Sequence, residues 1–160
     1  MNKKLLLIVL GLLCAAVVAG AGWFLLAPRP ATPQPEDNGV DWVGPQEEYT
    51  GSAQSGGSIA IPGMDAMNFK AGETKQAVNL YNPAENSCFF QISLLLADGT
   101  RLYQSNLIAP GKGLYEIELL TALPEGVFED AVLKYDCFSM DADCTPLNGA
   151  ELMLTIHSLP

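Results

Sequence analysis

Apolar residues run unbroken and uncharged from Leu5 to Ala27, LLLIVLGLLCAAVVAGAGWFLLA, whereas from Ser58 onward they return at every second position. The first pattern predicts a membrane-spanning helix, because about 20 apolar residues cross a hydrocarbon core of roughly 30 Å. The second is strand periodicity. Ile59 and Ile61 share a face; so do Val78 and Leu80, with Asn79 and Tyr81 opposite; so do Cys88, Phe90, Ile92, Leu94 and Leu96, with Gln91 and Ser93 on the other side. Tyr115, Ile117 and Leu119 alternate with Glu116 and Glu118, and Leu133, Tyr135 and Cys137 fall together. The last run sets Leu152, Leu154 and Ile156 against Met153, Thr155 and His157. Each strand then has one wet face, which points to antiparallel sheets packed face to face and not to a parallel α/β sheet.

Turn chemistry agrees with that pattern. Asp98-Gly99, between LLLA and TRLYQS, is a two-residue hairpin signal. Pro62-Gly63, Asn82-Pro83, Pro110-Gly111, Pro124-Glu125-Gly126 and Asn148-Gly149 mark the other corners, so about seven strands are expected and no helix. Tyr135 stands two residues before Cys137, as a corner tyrosine does in immunoglobulin-type domains, although no Trp occupies the matching third-strand position. The expected fold is an all-β, antiparallel, Ig-like β-sandwich over residues 58–160, with a jelly-roll-like sandwich as the alternative. A membrane anchor over 1–27 and a linker over 28–57 precede it.

Lys3 and Lys4 come before the apolar run and only Arg29 follows closely, so the positive-inside rule puts the N-terminus in the cytoplasm and the domain outside. Ala19-Gly20-Ala21 offers a competing cleavage site near Ala21, which would release a secreted domain. Trp23-Phe24-Leu25-Leu26 continue the apolar run past that site and favour a retained signal-anchor. Cys14 follows Leu13 where lipidation wants a small residue, so it reads as an apolar helix position. The linker, rich in Pro, Gly, Ser and acids, has neither helix nor strand period and reads as a spacer. Its one apolar island, Val40-Asp41-Trp42-Val43, reads as an exposed linker aromatic, with docking on a partner or on the domain as the alternative.

Charge narrows the partners. The net charge of -10 divides into +3 over residues 1–29, -5 over 30–57 and -8 over 58–160. A polyanion would meet a repulsive field, and no basic stripe with interleaved aromatics offsets it, so no nucleic-acid partner is expected.

Candidate chemistry is sparse. Cys88, Cys137 and Cys144 lie outside the membrane run, where disulfides form. Cys88 with Cys137 is the favoured core disulfide, closing a loop of about 50 residues and stabilising by roughly 3 to 4 kcal/mol in the loop-entropy model. Cys137 with Cys144 is the alternative. No C-x-x-C pair occurs, and Asp136, Asp141 and Asp143 would raise a neighbouring thiol's pKa, so thiol catalysis is not expected. The same three aspartates could offer oxygen ligands to Ca²⁺, yet they lack the Gly and the terminal Glu of an EF-hand loop. His157, the sole histidine, reads as an exposed residue at a strand edge. Zinc spacing, P-loop and dinucleotide motifs are absent, and no cofactor is expected. Tyr81, Phe89, Tyr103 and Phe138 make the candidate binding face, suited to stacking on sugars or seating a protein partner.

The run SIAIPG at 58–63, NLYNPAENSCFFQISLLLADGTRLYQSNLIAPGKG at 79–113, LKYDCFS and PLNGAELMLTI resemble a family of small, membrane-anchored, extracytoplasmic proteins of Gram-positive anaerobes. The likeness rests on Asn82-Pro83, Cys88, Asp98-Gly99-Thr100, Pro110-Gly111-Lys112, Tyr135, Cys137 and Pro146-Leu147-Asn148-Gly149, with Cys144 a departure. It implies a place in the cell envelope and brings no established activity. Some members carry an RNA-methyltransferase name, which the residues here contradict: there is no nucleotide-binding Gly-rich βα turn and no basic RNA surface. The expectation is a membrane-tethered extracytoplasmic interaction module without catalytic activity, touching a protein partner through a sheet face or an edge strand. A carbohydrate-binding module is the alternative, and an enzyme with a site assembled from scattered residues is the third reading.

Overall fold

The computed structural model describes residues 39–44 and 59–160, all within one unit of the chain, Pro33–Pro160. The expected anchor Leu5–Ala27, the site near Ala21 and most of the linker lie outside the described residues. These contain eight strands and no helix: β1 Val40–Asp41, β2 Ala66–Lys70, β3 Lys75–Tyr81, β4 Cys88–Leu95, β5 Arg101–Gln104, β6 Lys112–Glu118, β7 Gly126–Ser139 and β8 Pro146–Leu159. They form a three-stranded sheet in the order β1-β6-β3 and a five-stranded sheet in the order β2-β8-β7-β4-β5. The two sheets pack together on a shared core.

Alternation builds that core. Phe90, Ile92 and Leu94 on β4, Leu133 and Tyr135 on β7, and Leu154 and Ile156 on β8 are all buried, facing Val78 and Leu80 on β3 and Leu114 and Ile117 on β6. Phe90 and Tyr135 meet edge to face with ring centroids 5.4 Å apart. Burying each such side chain contributes about 1.5 to 3 kcal/mol, the aromatic pair somewhat more.

Several expectations change. β2, which no run of apolar residues marked, lies parallel to β8, from Ala66 opposite Thr155 to Lys70 opposite Leu159, so the sandwich is not purely antiparallel. A parallel pair needs a long connection, and here the rest of the domain supplies it. Ile59 and Ile61 form no strand; they lie against the core from irregular backbone. On β6 the buried residues are Leu114 and Ile117, with Tyr115 exposed, because the β3–β6 register shifts between Ala77 and Leu80 and such a bulge turns the pleat. The Asp98-Gly99 hairpin is longer than two residues. Gly99 N donates to Leu96 O at 2.8 Å and Leu96 N to Thr100 O at 2.9 Å, with Gly99 at φ 83°. That is a turn followed by a left-handed glycine bulge. Asn148-Gly149 is no corner but part of β8, where a Cβ on Gly149 would run into the Tyr135 carbonyl oxygen beside the β7 register shift.

Candidate functional site

The buried polar side chains build loops. Asn82, fully buried, donates through Nδ2 to Cys88 O at 2.8 Å and Ile108 O at 2.9 Å, and its Oδ1 accepts from Asn86 Nδ2 at 2.8 Å. Asn86 in turn brackets the Ala60 backbone, accepting from its N–H and donating to its carbonyl. Gln76 closes the β2–β3 turn, accepting from Lys70 N and donating to Lys70 O and Glu73 O. Asp98 accepts from Thr100 N, which holds its carboxyl below the usual range. Asn82, Asn86, Gln76 and Asp98 thus serve turn and loop geometry.

Cys88 and Cys137 are buried on the inner face of neighbouring strands in one sheet, Cys88 opposite Ser139 and Cys137 opposite Phe90. An immunoglobulin bridge would join the two sheets instead. Both thiols stand unbridged in the structure. Burial pushes the Cys137 thiol up to about 12, reinforced by Cys88 and then Asp136, and burial also raises Cys88. Cys144 is half-exposed at a positive φ of 45° in the β7–β8 loop. Of the aspartates considered for calcium, Asp136 pairs with Lys134 at 3.0 Å, while Asp141 Oδ1 accepts from Ser139 Oγ and Asp143 N. No cluster able to hold a metal forms among the described residues. His157 lies not on an edge strand but on β8, between Asn68 of β2 and Val127 of β7.

The four candidate aromatics do not make one face. Phe89 and Phe138 stand directly opposite on β4 and β7, with Pro146 of β8 opposite Phe138, so these three form a row in which both rings are half-buried. Tyr103 packs against the core from β5. Tyr81 is buried on the smaller sheet, and what covers it is Trp42.

That contact is the most developed aromatic arrangement in the domain. The Trp42 ring stacks between Tyr81, at 4.5 Å and 8°, and Tyr115, at 4.9 Å and 12°. Val40 and Asp41 pair with Gly113 and Lys112, so the linker's apolar island docks on the domain as β1 and is not a free aromatic. Trp42 N donates to Gly111 O at 2.9 Å, Val43 N to the Tyr115 hydroxyl at 3.1 Å, and Lys112 Nζ meets Asp41 Oδ1 at 2.7 Å. The lysine's hydrogen bond and charge lower the Asp41 pKa. Gly113 makes room for the ring: a Cβ there would lie 2.6 Å from the indole Cε3 and 2.9 Å from the Leu80 carbonyl oxygen. The indole Nε1 is buried with no hydrogen-bond partner among the described residues.

No family model, curated protein or solved structure matches this chain.

β1 covers β6 only at Lys112 and Gly113. Beyond it, no strand among the described residues pairs with the outer edge of β6 from Leu114 to Glu118, until Leu120 N donates to Leu102 O of β5. An open groove of about 450 Å³ follows this stretch, bounded by Val40, Lys75, Tyr115 and Glu118. Sequence reasoning missed the groove. The signals for its aromatic end were the VDWV island and a glycine, Gly113, at the second position of a strand, where glycine marks a close approach.

Proposed function

We propose that the chain is a membrane-tethered, extracytoplasmic interaction module, anchored through Leu5 to Ala27 with the N-terminus in the cytoplasm and engaging a protein partner at the cell surface. It carries no catalytic activity of its own. The observation that supports this reading is the outer edge of β6 beside the Trp42 stack, which among the described residues is paired only at Lys112 and Gly113. Backbone donors and acceptors at an unpaired sheet edge are a template for a strand from another chain. At the finer level we read the sandwich as Ig-like and residues 1–27 as its single transmembrane helix. In the oxidising space outside the membrane, the Cys88 and Cys137 thiols, buried on neighbouring strands, are read as the disulfide-forming pair. The resemblance to envelope proteins of Gram-positive anaerobes supports the same placement.

In-cell crosslinking tests the reading: one stoichiometric protein captured through the domain is expected. The second reading, a glycan-binding module, is favoured by the Phe89–Phe138–Pro146 row, since half-exposed aromatic rings stack on sugar faces. Binding of the full chain to purified cell-wall glycan, abolished by Phe138→Ala, would put it in first place.

A further inference from the structure

Resting on that reading, we infer that the docking site is the β6 edge from Leu114 to Glu118, and that it takes an extended partner segment carrying Lys or Arg two residues apart. The segment adds antiparallel to β6, in line with β1. β1 itself displays this mode of binding, with its strand pairing to Gly113 and Lys112 and its charge pairing between Asp41 and Lys112. Where β1 stops at Val40, the groove follows β6 from Leu114 to Glu118 and reaches Lys75 of β3.

Charge selects the occupant. Glu116 and Glu118 are exposed and two apart on β6, so they share a face. Glu116 is partly offset by Lys75 at 3.5 Å from the β3 side, while Glu118 has no ion-pair partner among the described residues. The residues of this chain preceding Val40 suit the place poorly. Continuing the Val40–Gly113 register would set Asp37 against Glu116 and Pro35 against Glu118. Like charges directly opposite are destabilising, and proline has no N–H for a ladder. A segment with Lys or Arg at those two positions removes both faults, and the domain's charge of -8 steers it in.

The test uses the full-length protein in detergent micelles and three labelled ten-residue probes followed by fluorescence polarisation. One alternates lysine with threonine, one alternates glutamate with threonine, and one is the lysine peptide with a central proline. The lysine peptide should bind at least about tenfold more tightly than the glutamate peptide, and the proline should abolish binding. Glu116→Lys with Glu118→Lys should invert the preference. The same charge change at Glu125 and Glu129 should not. Equal binding of the lysine and proline peptides, no binding, or inversion by the distant pair of substitutions each overturns the proposal. A photocrosslinker placed at Glu118 or at Phe138 separates this failure from that of the broader reading. Capture of one defined protein from Phe138 alone removes the edge and keeps the module, whereas capture from neither position removes the module.

Discussion

Replacing Asn82 by alanine removes the side-chain donor to the Cys88 carbonyl and one of the two donors to the Ile108 carbonyl, and takes one acceptor from the Asn86 amide, which keeps Ala60 O, all in the protein interior. The expected cost is about 2 to 4 kcal/mol, read as a lower urea midpoint at unchanged slope. The cysteines carry a pH prediction. Folding raises the Cys137 thiol to about 12 by burial, so its contribution is whole below the unfolded value near pH 8.5 and is lost as pH rises toward 12. Stability of the reduced protein should fall above about pH 9, and a Cys88→Ala, Cys137→Ala variant should lose that part of the fall while keeping the part due to Tyr135, which burial also raises. Under native reducing conditions a thiol reagent should label Cys144 and reach the other two only on unfolding; intact mass with and without reductant then reads whether Cys88 and Cys137 pair in the oxidised protein. The sequence marked both cysteines as inward-facing from their parity along the strand. It could not mark Asn82 as more than a turn residue, since its partner Ile108 belongs to another loop and Asn86, in its own, is held by the distant Ala60 backbone.

At the scale of elements, parity alone was enough for β4 and for the inward stretches of β7 from Ala131 to Cys137 and of β8 from Leu154 to Ser158, where alternate residues are buried. It failed on β6, where a bulge in the neighbouring β3 leaves Tyr115 exposed; β2 does alternate, with Met67 and Phe69 buried, but over only five residues and beside a partner at the far end of the chain. Bulges and distant pairings depend on the neighbouring strand, and a local pattern does not contain the neighbour. β1 is the extreme case, two residues held by one stacked indole. Gly113→Ala should unseat it by forcing a methyl into Trp42 and the Leu80 carbonyl, at a cost of about 1 to 3 kcal/mol. Amide exchange at Trp42, whose N–H is bonded to Gly111, should accelerate well beyond that of Phe90 in the core, and equal protection of the two would show the strap intact.

For the whole molecule, the sequence expectation is a tethered domain, and it predicts that the full chain stays with membranes after alkaline carbonate washing. Recovery of a shortened chain in the medium would instead establish cleavage near Ala21. What the sequence by itself determined is what local pattern and composition carry: strand class, the apolar Leu5–Ala27 run, acidity, and the inward faces of the principal strands. What only the tertiary structure decided is which strands are neighbours. That placed Cys88 and Cys137 in the same sheet, divided Tyr81, Phe89, Tyr103 and Phe138 among different surroundings, folded Trp42 onto the domain, and left β6 from Leu114 to Glu118 with no strand on its outer edge among the described residues. The reason is physical: a side chain's face is set by the backbone two residues away, but the exposure of a sheet edge is set by segments distant in sequence that do or do not arrive beside it.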